Sequence, residues 1–121
     1  MSSIFSGKTG LRHQFFKRTA AELALATNAA NAVLVARFND GVKLNFIDNT
    51  LDKDIVLLLV HPDADSAVAT NRLFWIEVPS NRVINYDVAK APNLEFPPGT
   101  KMFVYPLAAV SSGALRVALW G

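Results

Sequence analysis

The chain has 121 residues, 51% hydrophobic and 18% charged, which is enough for one domain with a single core and too little for two. Its abundance of Val, Leu, Ile and Phe excludes intrinsic disorder over the body, and its lack of cysteine excludes a disulfide framework and thiolate metal sites. The net charge of +2 is unevenly spread: Lys8, Arg12, Lys17 and Arg18 against Glu22 give residues 1–31 a charge of +3, while the remaining 90 carry eight basic and nine acidic groups.

The first segment, SGKTGLRHQFFKRT, is basic and aromatic and has no usable periodicity over residues 1–18. In an isolated monomer it is expected to be mobile. Gly7-Lys8-Thr9 resembles the tail of a phosphate-binding loop, but that motif needs a glycine four residues before Gly7-Lys8, and it needs a preceding strand. Here that position is Ser2, and neither a preceding strand nor a following helix is expected. Thr19-Ala20-Ala21-Glu22 matches a capping box, so one short helix is expected near residues 20–26, ended by Asn28 and Asn31. The apolar stretch AAELALATNAANAVLVA is broken by Glu22, Asn28 and Asn31 and lacks a signal-peptide core. Nothing approaches the roughly 20 apolar residues of a spanning helix, so the chain reads as soluble.

From residue 32 the pattern becomes short runs of β-formers separated by turn residues. AVLVARF (32–38) and VKLNFID (42–48) flank Asn39-Asp40-Gly41, and Asp40-Gly41 predicts a tight hairpin between them. In the second run Val42, Leu44 and Phe46 are expected on one buried face, with Lys43 and Asn45 on the other. IVLLLVH (55–61) is continuously apolar and predicts the central core strand. RLFWIEV (72–78), RVINYDV (82–88), LEF (94–96), KMFVY (101–105) and ALRVALW (114–120) follow, with turns at Pro79-Ser80-Asn81, Pro97-Pro98-Gly99-Thr100 and Ser111-Ser112-Gly113. Pro106 ends its strand or marks an edge.

About eight strands without intervening helices point to an all-β fold, an antiparallel two-sheet sandwich of Greek-key or jelly-roll type. A small closed barrel has the same strand count and spacing. The division read from the sequence is an arm with one short helix at 1–31 and a sandwich at 32–121.

Chemistry-bearing groups are sparse. Asp48, Asp52 and Asp54 surround one turn and Asp63 and Asp65 another, but neither group matches an EF-hand, and Asp commonly caps turn backbone. No metal or cofactor is expected. His13 and His61 lack a nucleophile or carboxylate at motif spacing, and Ser111-Ser112-Gly113 is not a nucleophile elbow, so no catalytic residue is expected. The candidate surface is the arm: Phe5, Lys8, Leu11, Arg12, Phe15, Phe16, Lys17 and Arg18, with Ile4, are too apolar for a solvated tail. Burying each large apolar side chain contributes on the order of 1.5–3 kcal/mol. Either the segment docks on a neighbouring chain, or it folds back over an open sheet edge of its own domain. Two other readings stand beside these. The four cations and two phenylalanines suit nucleic acid, although four cations alone bind weakly. Trp75, Tyr86, Tyr105 and Trp120 suit a carbohydrate platform.

The stretches NFIDNTLDKDIVLLLVHP, FWIEVP, LEFPPGTKMFVYP and SSGALRVALWG share turn placement, a Pro-Gly-Thr before a strand and a small-residue loop before the last strand. In these the chain resembles small all-β virion proteins of tailed bacteriophages, of the head-decoration or cement type. The resemblance implies a non-enzymatic protein of the capsid surface, made in the host cytoplasm. It would bind assembled major capsid protein, commonly as a trimer or dimer, and reinforce the shell. Its arm would lie on the capsid or on a sister subunit, with no membrane role and nucleic acid as an unlikely partner.

Overall fold

The computed structural model describes residues 13–24, 26–38, 42–61, 72–85 and 95–120. Nine strands are described: β1 (His13–Thr19), β2 (Val33–Arg37), β3 (Val42–Asn49), β4 (Ile55–Val60), β5 (Arg72–Val78), β6 (Arg82–Asn85), β7 (Glu95–Phe96), β8 (Lys101–Pro106) and β9 (Ala114–Trp120). One sheet runs β1-β9-β3-β6 with β7 also on β3, and the other runs β2-β8-β4-β5, all antiparallel. The pairs β1 with β9, β2 with β8, β3 with β6 and β4 with β5 trace one long folded-over hairpin, rolled so that alternate pairs fall in opposite sheets. This is the jelly-roll form of the expected sandwich. Two separate sheets replace the closed barrel.

The roll corrects one local expectation. β2 and β3 flank Asp40-Gly41, yet they lie in different sheets, so no hairpin ladder joins them. Residues 39–41 themselves lie outside the described residues. Phe38 N–H donates to Thr100 O at 3.0 Å, so β2 ends still tied to the turn before β8. A turn dipeptide favours reversal of the chain, while the partner of each strand is set by burial far away in sequence.

Burial explains the pairing. All six residues of β4 are buried, and of the run expected at 55–61 only His61 falls outside the strand, where it is exposed. Ile55, Leu57 and Leu59 join Leu115, Val117 and Leu119 of β9, Leu44 and Ile47 of β3, and Met102 and Val104 of β8 in the main core. In β3 the expected alternation breaks: the register slips between Leu44 and Phe46, so Leu44 and Ile47 are buried while Phe46 is only half-buried. One extra residue in a strand turns every following side chain to the other face. Pro106 closes β8 opposite Ile55, and β8 lies between two partners, so this proline ends a strand and marks no edge.

The helix forms where the capping box places it, shortened to α1 (Ala20–Leu23). Glu22 N–H donates to Thr19 Oγ1 and Thr19 N–H donates to Glu22 Oε1 at 2.9 Å. That N–H, together with the Thr19 hydroxyl, holds the Glu22 carboxyl below its usual range. Leu23 is fully buried in the core. Asn28 caps a separate 3-10 turn at Ala29–Asn31.

One end of the sandwich is closed by polar contacts. Asn49, fully buried, donates from Nδ2 to Lys53 O, Val78 O and Pro79 O and accepts from Leu51 N–H. Thr50 N–H donates to Ala114 O at 2.9 Å, and Thr50 Oγ1 accepts from Ala114 N–H at 3.1 Å. Gly113 reaches this contact at φ +88, with its Cα against Thr50 O where a side chain has no room.

Candidate interaction surface

β1 carries four of the residues singled out in the arm. Phe5, Lys8, Leu11 and Arg12 lie outside the described residues. The sheet therefore begins within the segment read as an arm: His13–Thr19 pairs residue for residue with Ala114–Trp120. This strand is the fold-back alternative realised over residues 13–19, because an outer position beside β9 is available to it. It moves the start of the sandwich from residue 32 to residue 13.

Strand alternation then splits the four residues. Phe16 turns inward, packs against the core and meets Phe38 edge-on with ring centroids 6.0 Å apart. Arg18 reaches across to β2, where it donates to the carbonyls of Leu34 and Val35. Both of these side chains are thus occupied within the chain. Phe15 and Lys17 point the other way, and Phe15 is 64% exposed. Phe15 lies opposite Ala118, which lies opposite Phe46, while Lys17 lies opposite Arg116, which lies opposite Asp48. The outer face of the five-stranded sheet therefore presents an aromatic pair beside a row of charges, in which Arg116 and Asp48 approach to 3.9 Å.

The other sheet also shows apolar groups outward. Leu34, Phe103, Leu58 and Trp75 lie opposite one another in turn across its four strands. Phe103 and Leu58 are buried, whereas Trp75 is 56% and Leu34 41% exposed. Tyr105, half-buried, packs beside Val56 and Phe103 on this face. The four aromatics considered for a carbohydrate platform do not come together: Trp75 and Tyr105 share this sheet, Trp120 belongs to the other, and Tyr86 lies outside the described residues.

The carboxylates near the turn at 48–54 are engaged separately. Asp48 faces Arg116, and Asp54 accepts from Ser80 N–H at 2.8 Å. Asp52 accepts from Ser111 N–H at 3.0 Å, from Ser111 Oγ at 2.8 Å and from Ser112 N–H at 3.4 Å. The Ser111 backbone N–H is the main cause that brings its pKa down to about 2, with the Ser111 hydroxyl next. Among the described residues no cluster of His, Asp and Glu is placed to hold a metal ion. Asp63 and Asp65 lie outside them, and His61 is exposed at the end of β4. Sequence reading missed Arg18 as a tie between sheets and Asn49 as a buried hub. A polar residue at the end of a β-former run, next to a turn, was the available signal for Asn49.

No helix among the described residues is long and apolar enough to cross a membrane. No protein-family model matches the chain, and no curated protein matches it in sequence. Among solved structures it is similar to a chain from Bacillus endospore appendages, described as forming a novel family of disulfide-linked pili. That match covers 91% of this chain and 84% of the other with a TM-score of 0.56 and 10% sequence identity. The likeness is one of fold, and the present sequence has no cysteine with which to form a disulfide link. What the comparisons establish is an all-β sandwich shared with a pilus-forming protein.

Proposed function

We propose that the chain is a structural virion protein that decorates the capsid surface, binding assembled major capsid protein as a dimer or trimer and strengthening the shell. The observation that carries this reading is the outward pair on β1, Phe15 at 64% exposure and exposed Lys17, which continues in sequence the apolar and cationic residues Phe5, Lys8, Leu11 and Arg12. A jelly roll is a rigid platform for such a surface, and many symmetric copies multiply a modest individual affinity. The fold alone assigns no activity. Its likeness to a pilus-forming protein agrees with a role in assembly.

The test is cosedimentation of the full chain with capsid shells of the virus that encodes it. A variant carrying Phe5→Ser, Leu11→Ser and Phe15→Ser, and another carrying Lys8→Glu, Arg12→Glu and Lys17→Glu, should both lose most of the bound fraction while keeping the native circular dichroism spectrum. Undiminished binding by both would remove the arm and β1 face as the anchor. A salt-sensitive complex of the chain with oligonucleotides, lost in the charge-reversed variant, would support the nucleic-acid reading instead.

A second reading, carbohydrate binding on the outer face of the four-stranded sheet, draws on exposed Trp75 with Tyr105 nearby. Exposed indole faces stack on sugar rings. Glycan-array signal lost in Trp75→Ala would favour it over capsid decoration.

A further inference from the structure

β1 reads HQFFKRT, and in its second half each side chain turned inward has a like neighbour one place earlier. Phe16, on the core against Phe38, follows exposed Phe15, and Arg18, bound to β2, follows exposed Lys17. Displacing a strand by one residue ordinarily sends its apolar set to solvent, so burial alone fixes the register. Here it does not. If each residue of β1 moved one place toward α1, Phe15 would enter the seat of Phe16 opposite Val117, and Lys17 the seat of Arg18 opposite Leu115. No proline lies in the strand, so the ladder to β9 would keep its bonds, with Phe16 and Arg18 now facing out.

What separates the two registers is the difference between arginine and lysine. Arg18 donates from Nε and Nη2 to Leu34 O at 3.2 and 3.0 Å, and from Nη2 to Val35 O at 3.1 Å. Leu34 lies opposite Phe103 and Ala36 opposite Met102, so Val35 is the extra residue of a bulge, and its carbonyl meets the same nitrogen as that of Leu34. A planar fork fills this acceptor set, whereas an ammonium group on a flexible stem brings no fixed geometry to it. The fork is also tied to the point where the strand stops. Nη1 donates to Lys17 O at 3.0 Å and lies 3.8 Å from Glu22 Oε2, the carboxylate that completes the cap of α1. Behind that cap Leu23 is fully buried, and a displaced strand would crowd an extra residue ahead of it.

We propose that Arg18 is the positioning residue of β1. Its bonds to β2 and to the cap of α1 select the register, and so decide that Phe15 and Lys17, rather than Phe16 and Arg18, are presented outward. The bulge at Val35 serves the selection by gathering two carbonyls where the guanidinium arrives. This selection operates whether or not the chain decorates a capsid.

The test places para-fluorophenylalanine at position 15 or 16 of the full chain, singly, in wild type, Arg18→Lys and Arg18→Ala, and reads fluorine NMR with a soluble gadolinium chelate as quencher. Wild type should give one line for each label, broadened by the chelate at 15 and protected at 16. Arg18→Lys, in which both registers offer a lysine, should split each label into two lines, the new one with the opposite protection. Arg18→Ala should enlarge the new set, since only the displaced register then brings a cation to the carbonyls of β2. Adding Phe15→Ser to Arg18→Lys makes the displaced register bury a serine, and should return the label at 16 to its single protected line. If Arg18→Ala does not fold, Arg18→Lys decides alone. Single lines with wild-type protection in the folded variants, or a second line at 16 that survives Phe15→Ser, overturn the proposal.

Discussion

Phe15 and Phe46 stand on strands that do not pair, yet their rings lie 6.4 Å apart between centroids, on either side of Ala118 of the intervening β9. Ala118 shares the outward face with Arg116 and is nonetheless fully buried. A methyl group is small enough to let two rings close above it. Ala118→Leu pushes the rings apart and should destabilise the fold by about 1–3 kcal/mol. Urea unfolding checks this through a lower midpoint at unchanged slope. Arg116→Ala, two residues away on the same face, should change stability by no more than about 1 kcal/mol, because its pair with Asp48 is exposed and long.

Asn49 gives a larger effect with no change in the core's apolar packing. Its fully buried side-chain amide answers three carbonyls and one N–H, of which the bonds to Val78 O and Leu51 N–H are buried and those to Lys53 O and Pro79 O are partly buried. Asn49→Ala strands those groups, at about 1–3 kcal/mol for each that stays unpaired. Asn49→Asp should be worse, since an ionised carboxylate would face three carbonyl oxygens. Thermal unfolding of the two variants should rank them in that order.

Gly113 tests backbone rather than side-chain chemistry. Its φ of +88 is costly for an L residue, and an added Cβ would overlap the Thr50 carbonyl, which is fixed by the bond from Thr50 N–H to Ala114 O. Gly113→Ala should therefore lower stability by more than the roughly 1–2 kcal/mol of left-handed strain alone. Gly99, at φ +85 in the turn before β8, carries the same left-handed strain, and Gly99→Ala should lower stability by at least that amount.

Asp52 predicts a pH dependence. Its folded pKa lies near 2, below its ordinary value of 3.8, so the carboxylate is favoured in the folded state. The stabilisation is fully present above the unfolded value and is lost as pH falls through about 2. The stability gap between wild type and Asp52→Asn should hold steady at neutral pH and shrink between about pH 4 and pH 2. A gap unchanged over that window would mean that the bonds to Ser111 and Ser112 do not depend on the charge.

Much of this architecture was legible in the residues, and the misses have physical causes. The run Ile55–Val60 reads as a core strand because six consecutive apolar residues leave no polar face to wet. Thr19 and Glu22 read as a helix start because a capping box is satisfied within four residues. Asp40-Gly41 misled because turn propensity is local whereas pairing is not: β2 finds β8 more than sixty residues on. The slip after Leu44 was invisible because a bulge leaves no fixed composition behind. Arg18 looked like one more cation in a basic segment, and its acceptors are backbone carbonyls, which have no signature in sequence. Phe15 and Phe16 are adjacent and alike, and only the pairing of His13–Thr19 decides which of them faces out.

The central proposal, that this jelly roll decorates a capsid, is tested most directly by titrating undecorated shells of the virus proposed to encode it with the wild-type chain and weighing the sedimented particles. The account predicts saturable binding at a fixed number of copies set by the shell's symmetry, with the decorated shells surviving higher temperature. Shells that take up no chain at any concentration, and melt where bare shells melt, would contradict it.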